Sequence, residues 1–315
     1  MCNPAFMAAL IQVHHLTKEF KEVKAVDDLS FSVEAGDVYG FLGQNGAGKS
    51  TTIRMLLTLI TPTSGSIELF GMQLDKHRKE ILRQVGAVIE RPDLYKYLTA
   101  LENLRLFAAM SGVKVPAKKL MEQLEVVGLA DRAHSKVKTY SQGMRQRLGI
   151  GIALVHDPQL VILDEPTNGL DPQGIADIRN LIRHLSKDQK KTVLVSSHLL
   201  SEIELIADSM IIIDKGKKLA EGKVSDLFDP SETIVQLETT DDNTAFAKLQ
   251  QAADPRYRME KRQEGIILKL HKDNVPAVLN AIVEMGIQVH SFHSKHSLED
   301  YFLSLTKPTA HVAAS

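Results

Sequence analysis

Between Val38 and Ile60 the chain passes from an apolar run, Val38 to Leu42, through Gly43-Gln44-Asn45-Gly46-Ala47-Gly48-Lys49-Ser50, into Ile53, Leu56, Leu57 and Ile60, spaced as one apolar helix face. The middle segment fits G-x-x-x-x-G-K-[ST], a loop that works only between a strand and a helix. Its glycines let nested N–H groups close around phosphates, while Lys49 reaches β/γ oxygens and Ser50 supplies a hydroxyl to Mg²⁺. Strand, loop and helix must therefore follow one another here. The helix is expected to stop before Thr61-Pro62.

The rest of the chain fits an α/β reading. Apolar runs at Ile11 to Leu16, Phe31 to Val33, Leu160 to Leu163, Val193 to Ser196 and Met210 to Ile213 read as strands, with a helix from Ile175 to Leu185. Alternation of strand and helix predicts a parallel sheet. From Arg91 to about Gln142 helical signals replace strand signals. Thr99-Ala100-Leu101-Glu102 is a capping box, and Leu120, Leu124 and Val127 form a helix face.

The character changes again after Asp229-Pro230. Strands are expected at Ile234 to Leu237, Ile266 to Leu270 and Ile287 to Phe292. Helices are expected near Ala245, through Val278 and Ile282 up to Gly286, and after a capping box at Ser297-Leu298-Glu299-Asp300, the last bearing Tyr301, Phe302 and Leu305. The expected organisation is an N-terminal extension over 1–10, a main domain over 11–229 with a helical subdomain at about 91–150, and a small α+β domain over 230–315.

Composition removes several function classes. With 38 Lys and Arg against 39 Asp and Glu, the chain has no field suited to nucleic acid or to an anionic membrane. The one cysteine, Cys2, excludes an internal disulfide and a cysteine-based zinc site, and suits a reducing compartment. His290, His293 and His296 are three apart on an expected strand, so they do not converge on a metal. The N-terminus has no signal-peptide pattern, and nothing reaches about 18 uninterrupted apolar residues. A membrane path, if there is one, belongs to another polypeptide.

A second concentration of chemistry lies between Tyr140 and Asp171. Ser141-Gln142-Gly143 opens a helix, where free N–H groups and the macrodipole favour an anion, with Ser141 as hydroxyl donor and Gly143 allowing close backbone approach. Leu160 to Leu163 then leads to Asp164, aimed at a metal ion, and Glu165, aimed at water. Arg145 and Arg147 read equally well as a solvated basic face.

In this order the segments resemble the nucleotide-binding subunit of ATP-binding cassette (ABC) transporters, from about Ile11 to Leu227. The resemblance implies a P-loop cassette with a mixed sheet core, an antiparallel β subdomain and an α-helical insert. It implies binding of ATP by Gly43, Gln44, Asn45, Gly46, Ala47, Gly48, Lys49, Ser50 and Thr51, with Phe20 stacking on adenine. Ser141 and Gly143, in a Tyr140-Ser141-Gln142-Gly143-Met144 variant of the signature, would close over ATP held by a second subunit. Ser50 and Asp164 would hold Mg²⁺; Glu165 would activate water; His198 would touch the γ-phosphate; Asn168 and Asp171 would communicate across the dimer.

One position departs from the family's usual pattern. Glu90 stands where most members carry glutamine, and resembles the subgroup that handles lantibiotics and bacitracin-like peptides; it is expected near Mg²⁺, or as an exposed acid paired with Arg91. Phe20 could otherwise be core, and His198 a capping or core-edge residue. The implied protein is an ATPase motor of a drug or peptide exporter, a homodimer or heterodimer with a second cassette. It would sit in the cytoplasm at the inner face of the membrane on permease subunits, the segment around Arg91 to Met110 receiving them. The alternative is a soluble ABC ATPase regulating translation or nucleic-acid maintenance, though such relatives usually carry two cassettes or coiled-coil inserts. A nucleotide kinase leaves Ser141 to Met144 without a role.

Overall fold

In the computed structural model, residues 9–227, 232–262 and 265–295 are described. Asp229-Pro230, Cys2, His296 and the capping box at Ser297 with its helix lie outside them. The chain divides into two compact units, one up to Val224 and one from Ser225 onward.

The first unit begins with two long strands, β1 (Ala9–Phe20) and β2 (Val23–Glu34), followed by β3 (Val38–Leu42) and α1 (Lys49–Leu56). Next come β4 (Ser64–Leu69), β5 (Met72–Gln73), α2 (Arg78–Leu82) and β6 (Val85–Val88), then the helices α3 (Ala100–Met110), α4 (Ala117–Val126) and α5 (Gln142–Ala153). Strand and helix then alternate through β7 (Leu160–Asp164), α6 (Pro172–Lys187), β8 (Thr192–Ser197), α7 (Leu200–Glu204) and β9 (Ser209–Asp214), followed by β10 (Lys217–Lys223); the short α8 (Val224–Leu227) starts at the boundary and runs into the second unit.

Two sheets result. The strands β2-β1-β4-β5 form an antiparallel layer, and a six-stranded sheet has the order β10-β9-β3-β8-β7-β6, parallel from β9 to β6 with β10 antiparallel at its edge. Strands β3, β7 and β8 are buried along their whole length, as befits a sheet covered on both faces. Phe41, Leu160, Ile162, Leu194 and Ile211 from this sheet share a core with Ile11, Leu29, Ile53 and Leu56. A consequence of parallel pairing is that β3, β7 and β8 end side by side. Leu42 pairs with Ser197, and Asp164 with Ser196.

The capping box forms as expected: Thr99 accepts from the Glu102 N–H and Glu102 accepts from the Thr99 N–H at 2.7 Å. Helix α1 is shorter than its apolar spacing predicts. Thr58 adopts φ +57, and the bonds Thr58 N–H to Met55 O and Leu59 N–H to Arg54 O close a left-handed cap that stops the helix one turn before Ile60.

The second unit comprises β11 (Glu232–Thr239), α9 (Asp242–Ala252), β12 (Tyr257–Arg262), β13 (Gly265–His271), α10 (Val275–Glu284) and β14 (Val289–Lys295). Its antiparallel order β12-β13-β11-β14 with helices after the first and third strands is a βαββαβ arrangement. Val235, Leu237, Ile266 and Leu268 pack against Ala245, Leu249, Val278 and Ile282. His290 and His293 lie on β14, His290 with Nε2 3.3 Å from the Thr240 hydroxyl.

Candidate nucleotide site

The loop from Gly43 to Gly48 leaves the buried end of β3 and is tied down at both sides. Gly43 N–H donates to Ser197 O at 3.3 Å, and Ala47 O accepts from Gly216 N–H at 2.9 Å. Between these anchors Gln44, Asn45 and Gly46 are exposed. Gly48 begins α1 at φ +106, and a Cβ there would stand 2.6 Å from Ala25 O, so conformation and space both demand glycine. Ser50 and Thr51 follow in the first turn of α1, where unpaired N–H groups favour an anion.

Lys49 is buried at 5% exposure, and its Nζ donates to Gly43 O at 2.6 Å and Gln44 O at 3.3 Å. It also lies 3.1 Å from Glu165 Oε1, close enough for an ion pair but not aligned as a hydrogen bond. A cation this buried needs acceptors; carbonyl oxygens and a carboxylate supply them here.

The ends of β7 and β8 are laced together by three consecutive residues. Ser196 Oγ donates to Asp164 Oδ1 at 2.6 Å and accepts from the Glu165 N–H at 2.9 Å. Ser197 Oγ donates to Glu202, and His198 Nδ1 stands 2.8 Å from Glu165 Oε2. Asp164 is 1% exposed, and its Oδ2 has no hydrogen-bond partner, an oxygen left to take a cation or water. Glu165 and Glu90 turn the chain at φ +49 and +56, conformations that L-residues adopt only with support from their surroundings.

Ser50, Glu90, Asp164, Glu165 and Asn168 line one cleft of about 700 Å³. Glu90 is exposed and pairs with Arg54, NH2 to Oε1 at 2.5 Å, not with Arg91. Arg54, on α1 more than a turn beyond Lys49, takes the place of Arg91 because the fold brings the segment after β6 to α1. No sequence periodicity links the two positions.

Ser141 and Gly143 do not line that cleft, whereas Gln142 between them and Arg145 do. Ser141 is exposed and caps α5, its Oγ accepting the Met144 N–H at 3.2 Å, which leaves its O–H free to donate. A Cβ at Gly143 would meet only Gly174 Cα, at 3.8 Å, so packing within this chain does not require glycine there. Arg145 and Arg147 are engaged internally, donating to Tyr140 O and to the carbonyls of Val127 and Gly128. Asp171 caps α6 by accepting from Gly174 N–H, and Asn168 O accepts from Gln142 Nε2 at 3.2 Å.

Phe20, at the β1–β2 turn, is 46% exposed with Lys18 Nζ 4.9 Å from its ring centroid, so it is at the surface and not in the core. Sequence reasoning missed Ser196, Ser197, Arg54 and Glu202. The hydroxyls read as ordinary strand residues, and Glu202 as one more acid on a helix.

A phosphate-cradling loop facing strand ends that carry a buried aspartate, a glutamate and a histidine defines a P-loop nucleoside triphosphatase. The family described as ABC transporter matches residues 26–168. The chain is 42% identical to the uncharacterized ABC transporter ATP-binding protein YhcH of Bacillus subtilis (strain 168), over 96% of this chain and 98% of that one. It is 46% identical to the bacitracin transport ATP-binding protein BcrA of Bacillus licheniformis, over 95% and 98%. The fold matches the dimeric post-hydrolysis structure of the ATP-binding cassette MJ0796 bound to ADP and Pi, at TM-score 0.61 and 26% identity over 68% of this chain and 98% of that one. The protein belongs to the ATP-binding subunits of ABC transporters and is an ATPase. No helix among the described residues is long and apolar enough to cross a membrane.

Proposed function

We propose that this ATPase drives export of peptide antibiotics or similar compounds, working as a nucleotide-sandwich dimer on separate permease subunits at the inner face of the cell membrane. One observation carries the dimer. The Ser141 hydroxyl is exposed with its proton uncommitted, and Ser141 and Gly143 stand at the rim of the chain's own cleft without lining it, although Gln142 between them and Arg145 do. A second copy's nucleotide fits that hydroxyl. Likeness to BcrA, named for bacitracin transport, supports the substrate class.

Within each site Lys49 and the loop amides bind the phosphates, and Phe20 offers its exposed face to adenine. The residues present fit Mg²⁺, a hard cation that takes oxygen ligands. Asp164 Oδ2 is buried and unpartnered, and Ser50 lines the same cleft. These two would hold it, and the bound ion neutralises phosphate charge. Glu165 accepts a proton from the attacking water as its oxygen bonds to the γ-phosphorus and the bond to ADP breaks. His198 orients that carboxylate and donates toward the γ-phosphate. Glu90 shares the metal environment when Arg54 releases it.

Glu165→Gln keeps shape and removes the base, so with saturating ATP and Mg²⁺ it should run as a dimer on gel filtration, while wild type runs as a monomer without nucleotide. A Glu165→Gln protein that stays monomeric overturns the sandwich reading. Co-purification with a membrane protein of about six spans, and stimulation of ATPase activity by cyclic peptides, test the partner and the substrate class.

A further inference from the structure

Glu202, on α7, is a carboxylate that the hydrolysis scheme does not use. Its Oε2 accepts two hydroxyl bonds, from Thr167 Oγ1 at 2.7 Å and from Ser197 Oγ at 2.9 Å. Ser197 Oγ in turn accepts the Leu199 N–H at 3.0 Å. Ser197 and Leu199 bracket His198, and Thr167 lies two residues beyond Glu165. Because His198 Nδ1 meets Glu165 Oε2 at 2.8 Å, the contacts close a ring: Glu165, His198, Ser197, Glu202, Thr167 and back through Pro166.

The ring supplies what the sheet cannot. The ladder between β7 and β8 ends at Asp164 and Ser196, so Glu165 and His198 stand beyond its last pair. Glu165 further sits at φ +49, a conformation with no intrinsic preference to hold it. Hydrogen bonds to an ionised acceptor are the stronger kind, and two of them converge on one oxygen. The surrounding wall contains Ile175, Ile182, Ile203 and Ile206, against which an apolar side chain would pack as well as a carboxylate, and also Arg179, to which no hydrogen bond or ion pair from Glu202 is formed. What a carboxylate adds there is acceptance from two hydroxyls, one on each side of the histidine and glutamate pair.

We propose that Glu202 is a positioning residue for hydrolysis, fixing the Glu165–His198 pair by joining the segment after β7 to the segment after β8. This rests on the reading of Glu165 and His198 given above. Misplacing a reacting group by about 1 Å costs on the order of a hundredfold in rate.

The test uses the full chain, with kcat and KM for ATP, the dissociation constant of a fluorescent ATP analogue and the melting temperature measured for each variant. Glu202→Ala should lower kcat by about ten- to a hundredfold with KM and analogue affinity within about twofold of wild type. Glu202→Gln should restore kcat to within about threefold, because an amide oxygen also accepts two donors. Thr167→Val should lower kcat several-fold and add nothing in the Glu202→Ala background, which has already lost the contact that Thr167→Val breaks. Glu165→Gln is measured alongside. If Glu165→Gln is inert and Glu202→Ala turns over at the wild-type rate, the proposal fails alone. If Glu165→Gln still hydrolyses, the assignment of Glu165 fails and the proposal with it. Should Glu202→Ala not fold, Thr167→Val decides, and a wild-type kcat there overturns the proposal. A loss in Glu202→Ala matched by equal losses in analogue affinity, with no recovery in Glu202→Gln, also overturns it.

Discussion

His198 Nδ1 stands 2.8 Å from Glu165 Oε2, while Lys49 Nζ approaches the other oxygen of the same carboxylate at 3.1 Å. One acid therefore faces a histidine on one side and the phosphate-loop lysine on the other. Removing its negative charge should abolish turnover without abolishing binding. Glu165→Gln is expected to lower kcat by at least about a hundredfold, the scale of a lost general base, and His198→Ala by a comparable amount. Fluorescent-nucleotide affinity should change by less than about threefold in both, because neither residue belongs to the loop that grips the phosphates.

The Arg54–Glu90 pair has side chains 41% and 65% exposed, so it contributes no more than about 1 kcal/mol to stability. Its effect should appear in metal dependence. Arg54→Ala frees a carboxylate in the cleft and should lower the Mg²⁺ concentration for half-maximal ATPase activity. Glu90→Gln removes the charge and should raise it. A Mg²⁺ titration at fixed ATP reads both, and movement in the same direction would count against Glu90 as part of the metal environment.

Ser141 serves as a helix cap and has a free hydroxyl proton. Ser141→Ala should cost about 1 kcal/mol as a lost cap, visible as a small fall in melting temperature. Its larger effect should fall on association. In the Glu165→Gln background it should prevent the ATP-dependent dimer on gel filtration, while the monomer binds the fluorescent nucleotide as before.

Asp37, at the start of β3, accepts a hydrogen bond from Ser209 Oγ, and burial pushes its carboxyl above the ordinary carboxylate range. The nearby acids Asp208 and Glu34 add to the rise, and Ser209 and Lys187 oppose it. The folded state then holds this proton more tightly than the unfolded chain. Stability falls as pH rises from the unfolded value to the folded one, and the penalty is complete at neutral pH. Asp37→Asn keeps an acceptor for Ser209 and removes the charge. It should melt at the wild-type temperature or a few degrees higher at pH 7, and the difference should shrink as pH is lowered through the carboxylate range in a thermal-melt series.

Local chemistry that repeats along the chain was readable before any fold. The loop from Gly43 to Ser50, the capping box at Thr99 and Glu102, and the apolar runs of β3, β7 and β8 each carry their signal within a few residues. Elements whose cause is not local were not readable in that way. Strand β4, Ser-Gly-Ser-Ile-Glu-Leu, has too little apolar alternation to announce itself and forms because β1 pairs with it. Helix α1 stops early because Thr58 turns left-handed, which apolar spacing does not encode.

The sequence by itself determined a nucleotide-binding cassette with a glycine loop between strand and helix and two acids ending an apolar strand, since each of these signals lies among neighbours in the chain. Only the tertiary structure decided how those groups are held. Parallel pairing sets Asp164 beside Ser196; the ends of β7 and β8 bring His198 to Glu165 and Thr167 to Glu202; and the approach of the segment after β6 to α1 gives Glu90 to Arg54 instead of Arg91. The physical reason is range: a loop's donors follow from backbone conformation over a few residues, whereas a carboxylate's partners depend on which strand ends the sheet lays side by side.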